Sequence, residues 1–340
     1  MAVRRSGRSA GRQGGRRVDL ALGGLVLLAG LTGVAANTIG VNWPIDLIQV
    51  HAAAALAVLL LAPWKVVIAR RGLRRPLRGR SVKALSLTFA GLVLLTVATG
   101  LIHSTGHLER LGPLTLMQIH VGAAVAALVA LAGHFATHAV RPRRADADRR
   151  AVLRLAGLGA GAAAVTALWD TGPATARRFT GSVPRDRPLV TSWFNDGVRD
   201  VDPGPWRLRA GTAVLDLAAV LNLPHERFTA VLDCTSGWCS EQEWDGVRLS
   251  VLLATAGVPL DGRRSVEVRS VTGYARWFGV PALDRVWLVT GMGGRALPPG
   301  HGYPARIVAP GRRGFWWVKW VSEIRPSDRP AWAQSVFPLS

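Results

Sequence analysis

Over its first half, this 340-residue chain is hydrophobic in blocks rather than in a fine period. Five apolar stretches, Val18–Ala36, Leu47–Val67, Ala84–Ile102, Leu116–Ala139 and Val152–Trp169, each run for about 18–24 residues. A helix rises 1.5 Å per residue and crosses a hydrocarbon core in roughly 20 residues, so each stretch predicts a transmembrane helix. The fifth is the least apolar, being mainly Ala and Gly between Leu155 and Val165. From residue 171 the pattern changes to short β-type runs separated by Gly and Pro: Val266–Val271, Val286–Val289, Ala305–Val308 and Phe315–Val321. Only Val214–Leu221 and Leu249–Ala256 read as helices there. The chain is therefore expected to join an N-terminal all-α transmembrane bundle of about five helices to a C-terminal mixed α+β domain. That domain is long enough for its own core.

Composition agrees with a split chain. Hydrophobic residues make up 49% and charged residues 19%, with a mean hydropathy of +0.23. This is wrong for a disordered chain and too apolar for an ordinary soluble enzyme. Yet the formal charge is +21. Eighteen of the 42 Lys and Arg residues fall in Arg4–Arg17, Arg70–Lys83 and Arg141–Arg150, between the apolar blocks. The alternate loops, Asn37–Asp46 and Ser104–Thr115, hold Arg110 alone. Basic residues in short loops stay on the cytoplasmic side, so the N-terminus is expected in the cytoplasm and residues 171–340 outside it, in a multi-pass cell-membrane protein. The basic runs are then orientation signals, and no nucleic-acid partner is expected. The domains read as a basic tail (1–17), a four-helix transmembrane bundle (18–140), a basic loop with the fifth helix (141–170) and an extracytoplasmic domain (171–340). Arg149-Arg150 ahead of the mild Ala/Gly run reads either as an internal twin-arginine export signal or as the close of a cytoplasmic loop.

Six of the eight histidines lie between 51 and 138. Ionisable residues at membrane depth are costly and mark function. His51 and His120 each sit four residues into a helix that starts from the outer face, about 6 Å below one surface. Two facing imidazoles in a helix bundle suit a six-coordinate b-type haem, and one such haem is expected. His134 lies roughly 21 Å deeper than His120, but Lys65 stands where its partner ligand would fall, which argues against a second haem. His103 is an alternative ligand, and His103 with His107 could line a quinone or electron-entry site. His134 and His138 read as interfacial residues.

Two cysteines exclude a disulfide scaffold and any all-cysteine metal site. Cys234 lies in Val231-Leu-Asp-Cys-Thr-Ser-Gly-Trp-Cys-Ser-Glu-Gln-Glu-Trp-Asp-Gly-Val-Arg-Leu249, at the end of an expected strand. By residue chemistry it could be a nucleophile, a metal ligand or half of a disulfide with Cys239. Nucleophilic hydrolysis needs a His base, and only His225 and His301 are available in this half. A thiolate is also a soft ligand for a metal.

The run from Cys234-Thr-Ser-Gly-Trp238 to Trp244-Asp-Gly-Val247 resembles the molybdopterin-binding domain of the sulfite oxidase family. Leu297-Pro-Pro-Gly-His-Gly-Tyr-Pro-Ala-Arg-Ile-Val-Ala-Pro-Gly-Arg-Arg-Gly-Phe-Trp-Trp-Val-Lys-Trp320 is similar to a second element of that family, and the resemblance spans about residues 180–325. It implies a molybdenum–molybdopterin cofactor with Cys234 as the metal ligand. It also implies that His301, Arg306 and Lys319 hold the pterin and its phosphate. Tyr274 and Arg276, in Val271-Thr-Gly-Tyr-Ala-Arg276, match an element near the substrate side and are the candidate catalytic partners of Cys234. Trp332-Ala-Gln-Ser-Val-Phe337 ends in Phe where sulfite oxidases carry a substrate-side tyrosine, and their C-terminal immunoglobulin-like domain is not expected in these 340 residues. Both departures point toward the smaller, methionine-sulfoxide-reductase-type members. The expected whole is a membrane-anchored molybdenum oxidoreductase acting on an S-oxide, N-oxide or sulfite-like small molecule, exchanging electrons with a quinone or another carrier through haem b. The alternatives are the same domain on a haem-free anchor, or a non-enzymatic membrane cytochrome with a degenerate outer domain.

Overall fold

The structure, a computed structural model, describes residues 2–38, 46–73, 80–138, 143–170, 177–191 and 197–335. Parts of the loops at 37–46, 70–83 and 141–150, the side chain of His138 and Phe337 lie outside them. The chain forms two compact units, one of Met1–Asn37 with Asn42–Val183, the other built on Pro184–Ser340.

The first unit contains helices α1 (Ala2–Thr38), α2 (Leu47–Leu73), α3 (Arg80–Ser104), α4 (Leu116–His138) and α5 (Arg149–Asp170). All five include a segment long and apolar enough to cross a membrane. Their large side chains face outward: Leu31, Leu87, Val129 and Leu168 are each more than half exposed, while Ala54, Ala57, Ala123 and Ala127 are buried. That is the reverse of a water-soluble bundle and lets the helix backbones approach through small residues. α3 packs along α4 and α2 along α5. α1 touches its neighbours through glycines, with Gly30 against Leu128 and Gly23 against Phe135. A short hairpin, β1 (Arg110–Leu111) and β2 (Leu114–Thr115), feeds α4. There Thr115 and Gln118 accept each other's backbone N–H, a capping box.

Helix α1 starts well before the Val18 expected from hydropathy. Arg16 and Arg17 find partners instead of ending the helix. Arg16 pairs with Asp146 and Arg17 with Asp148, each at 2.6 Å. Asp148 also caps α5 by accepting from the Ala151 N–H at 2.8 Å.

The second unit holds two sheets. Six strands, β3 (Val183–Pro184), β6 (Glu226–Asp233), β7 (Trp238–Arg248), β10 (Trp287–Met292), β11 (Arg295–Ala296) and β12 (Arg306–Val308), are organised around the long β7 and β10. The other sheet runs β5 (Ala213–Leu215), β4 (Leu208–Ala210), β13 (Val321–Ser327), β8 (Ser265–Ser270) and β9 (Ala275–Gly279) in that order. The core between the elements includes the fully buried Trp244, Leu208, Leu249, Leu252, Leu288, Ile307 and Ile324.

Two expected elements differ. Val214–Leu221 divides into β5 and a short helix α6 (Leu217–Leu221), because Asp216 caps the helix by accepting from the Ala219 N–H at 2.8 Å. The expected strand Phe315–Val321 is instead a 3₁₀ turn over Gly314–Trp316, and the strand begins at Val321. The turn forms because Arg313 and Gly314 are drawn against Asp233 and Cys234, as described next. Leu249–Thr255 forms the helix α7 near its expected limits.

Candidate functional site

Cys234 sits on the tight turn that joins β6 to β7. The Cys234 N–H donates to the Trp238 carbonyl at 2.9 Å and the Gly237 N–H to the Cys234 carbonyl at 3.1 Å. The Thr191 hydroxyl lies 3.3 Å from Sγ, and the Ser236 N–H points at the sulfur from 3.5 Å. No disulfide joins Cys234 to Cys239.

The turn is held from behind by a buried ion pair. Arg313 donates to the Asp233 carboxylate, and both side chains are buried. The same guanidinium reaches the Cys234 carbonyl at 3.3 Å. Gly314 leaves no room for a side chain, since a Cβ there would lie 3.1 Å from the Cys234 Cα and 3.2 Å from the Asp233 carbonyl oxygen.

Three groups from the second motif gather toward the thiol. Arg306, at the start of β12, is fully buried. Its guanidinium donates to the carbonyls of His301 (3.0 Å), Ile307 and Trp317 (both 3.4 Å). It also lies over the rings of Trp244 and Trp317, at 5.3 and 5.7 Å from their centroids. Among the described residues it meets no carboxylate. Burial pushes its pKa down to about 10, opposed by the nearby Cys234, so it remains cationic at neutral pH. Lys319 donates to the carbonyls of Gly300 (2.8 Å) and Thr191 (3.2 Å). His301 is buried and bonded to the Pro188 backbone. Burial first, then the Arg306 and Lys319 cations, lower its pKa to about 4, so the ring is neutral at pH 7. Gly302, with φ +107°, lies between the two cations, and a Cβ there would sit 3.0 Å from Arg306 Cβ and 3.1 Å from Lys319 Cβ. Next to Lys319, Trp320 holds a left-handed φ of 51°, a strained conformation for a non-glycine residue that its indole helps fix by donating to the Pro299 carbonyl.

Tyr274 and Arg276 come together beside the Gly314 turn. The Tyr274 hydroxyl donates to the Phe315 carbonyl and accepts from Arg276 Nε, both at 2.6 Å. Arg276 is buried under the rings of Tyr274, Phe315 and Trp316 and donates to the Ser335 carbonyl at 2.7 Å. Through the Phe315 carbonyl they reach the turn beside Cys234.

Sequence reasoning missed Thr191, Asp233, Arg313 and Gly314. Arg313 and Gly314 fall inside the second motif and Asp233 precedes the cysteine, so their positions were on view. Only folding reveals that they meet. Thr191 carried no local signal.

A buried guanidinium that meets no acid among the described residues forms, with a lysine and a neutral imidazole beside a thiol, a cradle for an anionic group next to a soft metal ligand. Residues 196–335 match the family described as "Oxidoreductase molybdopterin binding domain". The C-terminal half thus resembles the molybdopterin-binding oxidoreductase domains of the sulfite oxidase type. The chain is similar to human mitochondrial sulfite oxidase, with 29% identity over 163 residues, covering 37% of this chain and 30% of that protein. It is also similar to the protein-methionine-sulfoxide reductase catalytic subunit MsrP of Burkholderia mallei, with 25% identity over 240 residues, covering 56% of this chain and 72% of that protein. The chain spans only 11% of the Phytophthora infestans nitrate reductase [NADPH] and 19% of mouse sulfite oxidase. Among solved structures, the sulfane dehydrogenase SoxCD from Paracoccus pantotrophus aligns with a TM-score of 0.37 and 30% identity over 39% of this chain and 41% of that one. The cradle of this molybdopterin domain fits a phosphate-bearing pterin.

The helical unit brings His51 and His120 together, with ring centroids 5.9 Å apart and planes at 74°. His51 Nδ1 lies 2.9 Å from the Ala29 carbonyl of α1, and His120 Nδ1 lies 2.8 Å from the Thr96 carbonyl of α3. A carbonyl can only accept, so both Nδ1 atoms carry the proton and both Nε2 atoms keep a lone pair. Two imidazoles this close, each with a lone pair on Nε2, are a donor set that suits a haem iron. Among the described residues no group of three or more His, Cys, Asp or Glu could hold a metal ion alone. His103 is buried at the end of α3, His107 is exposed, and His134 stacks on Phe89 with Ser86 at 3.4 Å from its Nδ1.

Proposed function

We propose that the chain is a membrane-anchored molybdenum oxidoreductase in which Cys234 ligates molybdenum and His51 and His120 ligate a b-type haem. The observation that carries this reading is Arg306, a buried cation beside Cys234 that meets no carboxylate among the described residues. When bound, a molybdenum–molybdopterin group supplies two-electron oxo-transfer and a haem supplies one-electron transfer. The chain's own residues divide the remaining work. Arg306 and Lys319 bind the pterin phosphate, the neutral His301 donates to it, and Thr191 and the Ser236 N–H hold the sulfur's orientation. Tyr274 and Arg276 shape the substrate side of the pocket through the Phe315 carbonyl. The substrate is an S-oxide, an N-oxide or a sulfite-like molecule, and a quinone or another membrane carrier is the electron partner. The basic loops support a cytoplasmic N-terminus and an extracytoplasmic molybdopterin domain. Arg149-Arg150 at the start of α5 is read as a twin-arginine signal, which suits a domain loaded with cofactor before export.

The test is metal analysis and optical spectroscopy of the purified full-length protein, followed by an activity screen with S-oxides, N-oxides and sulfite. About one molybdenum per chain, a reduced b-type band and turnover of one of these classes are expected. Protein that never acquires molybdenum would overturn the assignment.

A further inference from the structure

The helical unit contains a repeat that hydropathy hides. Set 67 residues apart, Arg16–Thr38 of α1 and Lys83–Thr105 are identical at nine of 23 positions, including Gly24-Leu-Val-Leu-Leu28 with Gly91-Leu-Val-Leu-Leu95 and Thr32-Gly33 with Thr99-Gly100. Set 69 residues apart, Leu47–Leu59 of α2 and Leu116–Leu128 of α4 are identical at seven of 13, including Leu-x-Gln-x-His at both starts. Each half is a helical hairpin contributing one imidazole.

The geometry repeats with the sequence. Thr32 Oγ1 donates to the carbonyls of Leu28 (2.7 Å) and Ala29 (3.2 Å), and Thr99 Oγ1 to those of Leu95 (2.7 Å) and Thr96 (3.0 Å). The Ala29 and Thr96 carbonyls are the ones that fix His51 and His120. A Cβ on Gly33 would lie 3.1 Å from His51 Cε1, and one on Gly100 would lie 3.0 Å from His120 Cε1. Threonine bonding back to a helical carbonyl is ordinary. Here it recurs with a glycine one residue on and an imidazole sharing the same carbonyl, twice.

At the opposite end the same alignment sets Asp19 against Ser86 and Lys65 against His134. The positions stay polar but the chemistry has diverged. Lys65 Nζ pairs with Asp19 at 2.6 Å, whereas Ser86 faces His134 at 3.4 Å. A protonated, ion-paired lysine has no lone pair for a metal, so this end keeps one imidazole where the outer end keeps two.

We propose that Ala29–Thr32–Gly33 and Thr96–Thr99–Gly100 are two copies of one imidazole seat, each a set of positioning residues that fixes a ligand's tautomer and ring plane. We also propose that divergence of the second polar level limits the chain to a single haem. The proposal rests on the haem reading above and deepens it.

The experiment measures haem per chain, the reduced-minus-oxidised spectrum and the midpoint potential of purified full-length protein. Wild type should hold one haem. Gly33→Ala and Gly100→Ala, each pressing a methyl onto an imidazole, should both weaken haem retention by about tenfold or more. Gly24→Ala and Gly91→Ala, whose Cβ would meet nothing within 4 Å, should retain it fully. Thr32→Val and Thr99→Val should keep the haem and lower its potential, because each frees a carbonyl to draw harder on the Nδ1 proton and enriches the ligand. Wild-type retention and potential in all four seat variants would overturn the seats while leaving the haem reading intact. Two haems per chain would overturn the single-site limit, and a chain with none would overturn this proposal together with the reading beneath it.

Discussion

The helical unit and the molybdopterin domain both bury polar side chains around a candidate site, but in different protonation forms. In the domain they are charges, with the neutral His301 beside them. Asp233 and Arg313 neutralise one another, and the buried Glu267 is shared at 2.6 Å each by Arg269 and Arg325. Arg306 stands apart because, among the described residues, it meets carbonyls and indole faces but no carboxylate. In the helices the half-buried groups at the site are imidazoles pinned through Nδ1, with lone pairs left on Nε2. The difference teaches how to read a site without its ligand. An uncompensated buried cation asks for an anion, and a paired lone-pair donor asks for a metal. A compensated pair such as Asp233–Arg313 asks for nothing and belongs to the framework.

The sharpest way to break this comparison is to remove one ligand from each region. Cys234→Ser exchanges a soft thiolate for a hard, protonated hydroxyl. Molybdenum content and activity should fall by more than about 100-fold, beyond the loss typical of an outer-shell partner, while the haem spectrum stays intact. His120→Ala should do the converse, abolishing the b-type band and sparing molybdenum. Spectroscopy and metal analysis on the same samples decide it. If either variant empties both sites, the two regions are not the independent binding units described here.

How far the sequence reached follows the same division. The long apolar helices were legible because their hydropathy is continuous over many turns, so α3 to α5 begin and end close to their hydropathy limits, while α2 begins at its expected Leu47 and runs on to Leu73. The imidazole pair was legible because depth along a helix is simple arithmetic from its start. The start of α1 was not, since it depends on Arg16 and Arg17 meeting acids about 130 residues away. The cysteine and the cations were legible through motif resemblance, but the ion pair that fixes the cysteine turn was not. Asp233 and Arg313 are 80 residues apart, and nothing local in either marks the other. The Phe315–Val321 error has the same origin, for a long-range contact turned a β-type run into a tight turn.

A second pair of substitutions separates framework charge from ligand-seeking charge. Asp233→Asn strands Arg313 in a buried site and should destabilise the protein by about 3–5 kcal/mol in chemical denaturation. Arg306→Met removes a buried cation that no acid compensates, so protein made without cofactor should be unchanged or somewhat more stable. The same variant should retain molybdopterin about 10–100-fold less well. A large stability loss from Arg306→Met would mean that its charge is already neutralised, and the distinction between the two arginines would fail.

The smallest effect is in the pH response, and it probes the cradle without touching the thiol. Burial and two neighbouring cations hold His301 at a pKa of about 4 in the folded protein, against an ordinary 6.5. Above pH 6.5 the ring is neutral whether folded or unfolded, and its contribution to stability is fully present. Between pH 6.5 and 4 the unfolded chain takes up a proton that the folded one refuses, so stability falls with pH; below about 4 it levels off. The shift corresponds to an upper bound on the order of 3 kcal/mol. Cofactor-free wild type should therefore lose more stability across this window than His301→Gln, which cannot titrate. Binding an anionic phosphate beside the ring should raise its pKa and shrink the difference. Equal slopes for wild type and variant, with and without cofactor, would show that His301 does not feel Arg306 and Lys319 as the geometry requires.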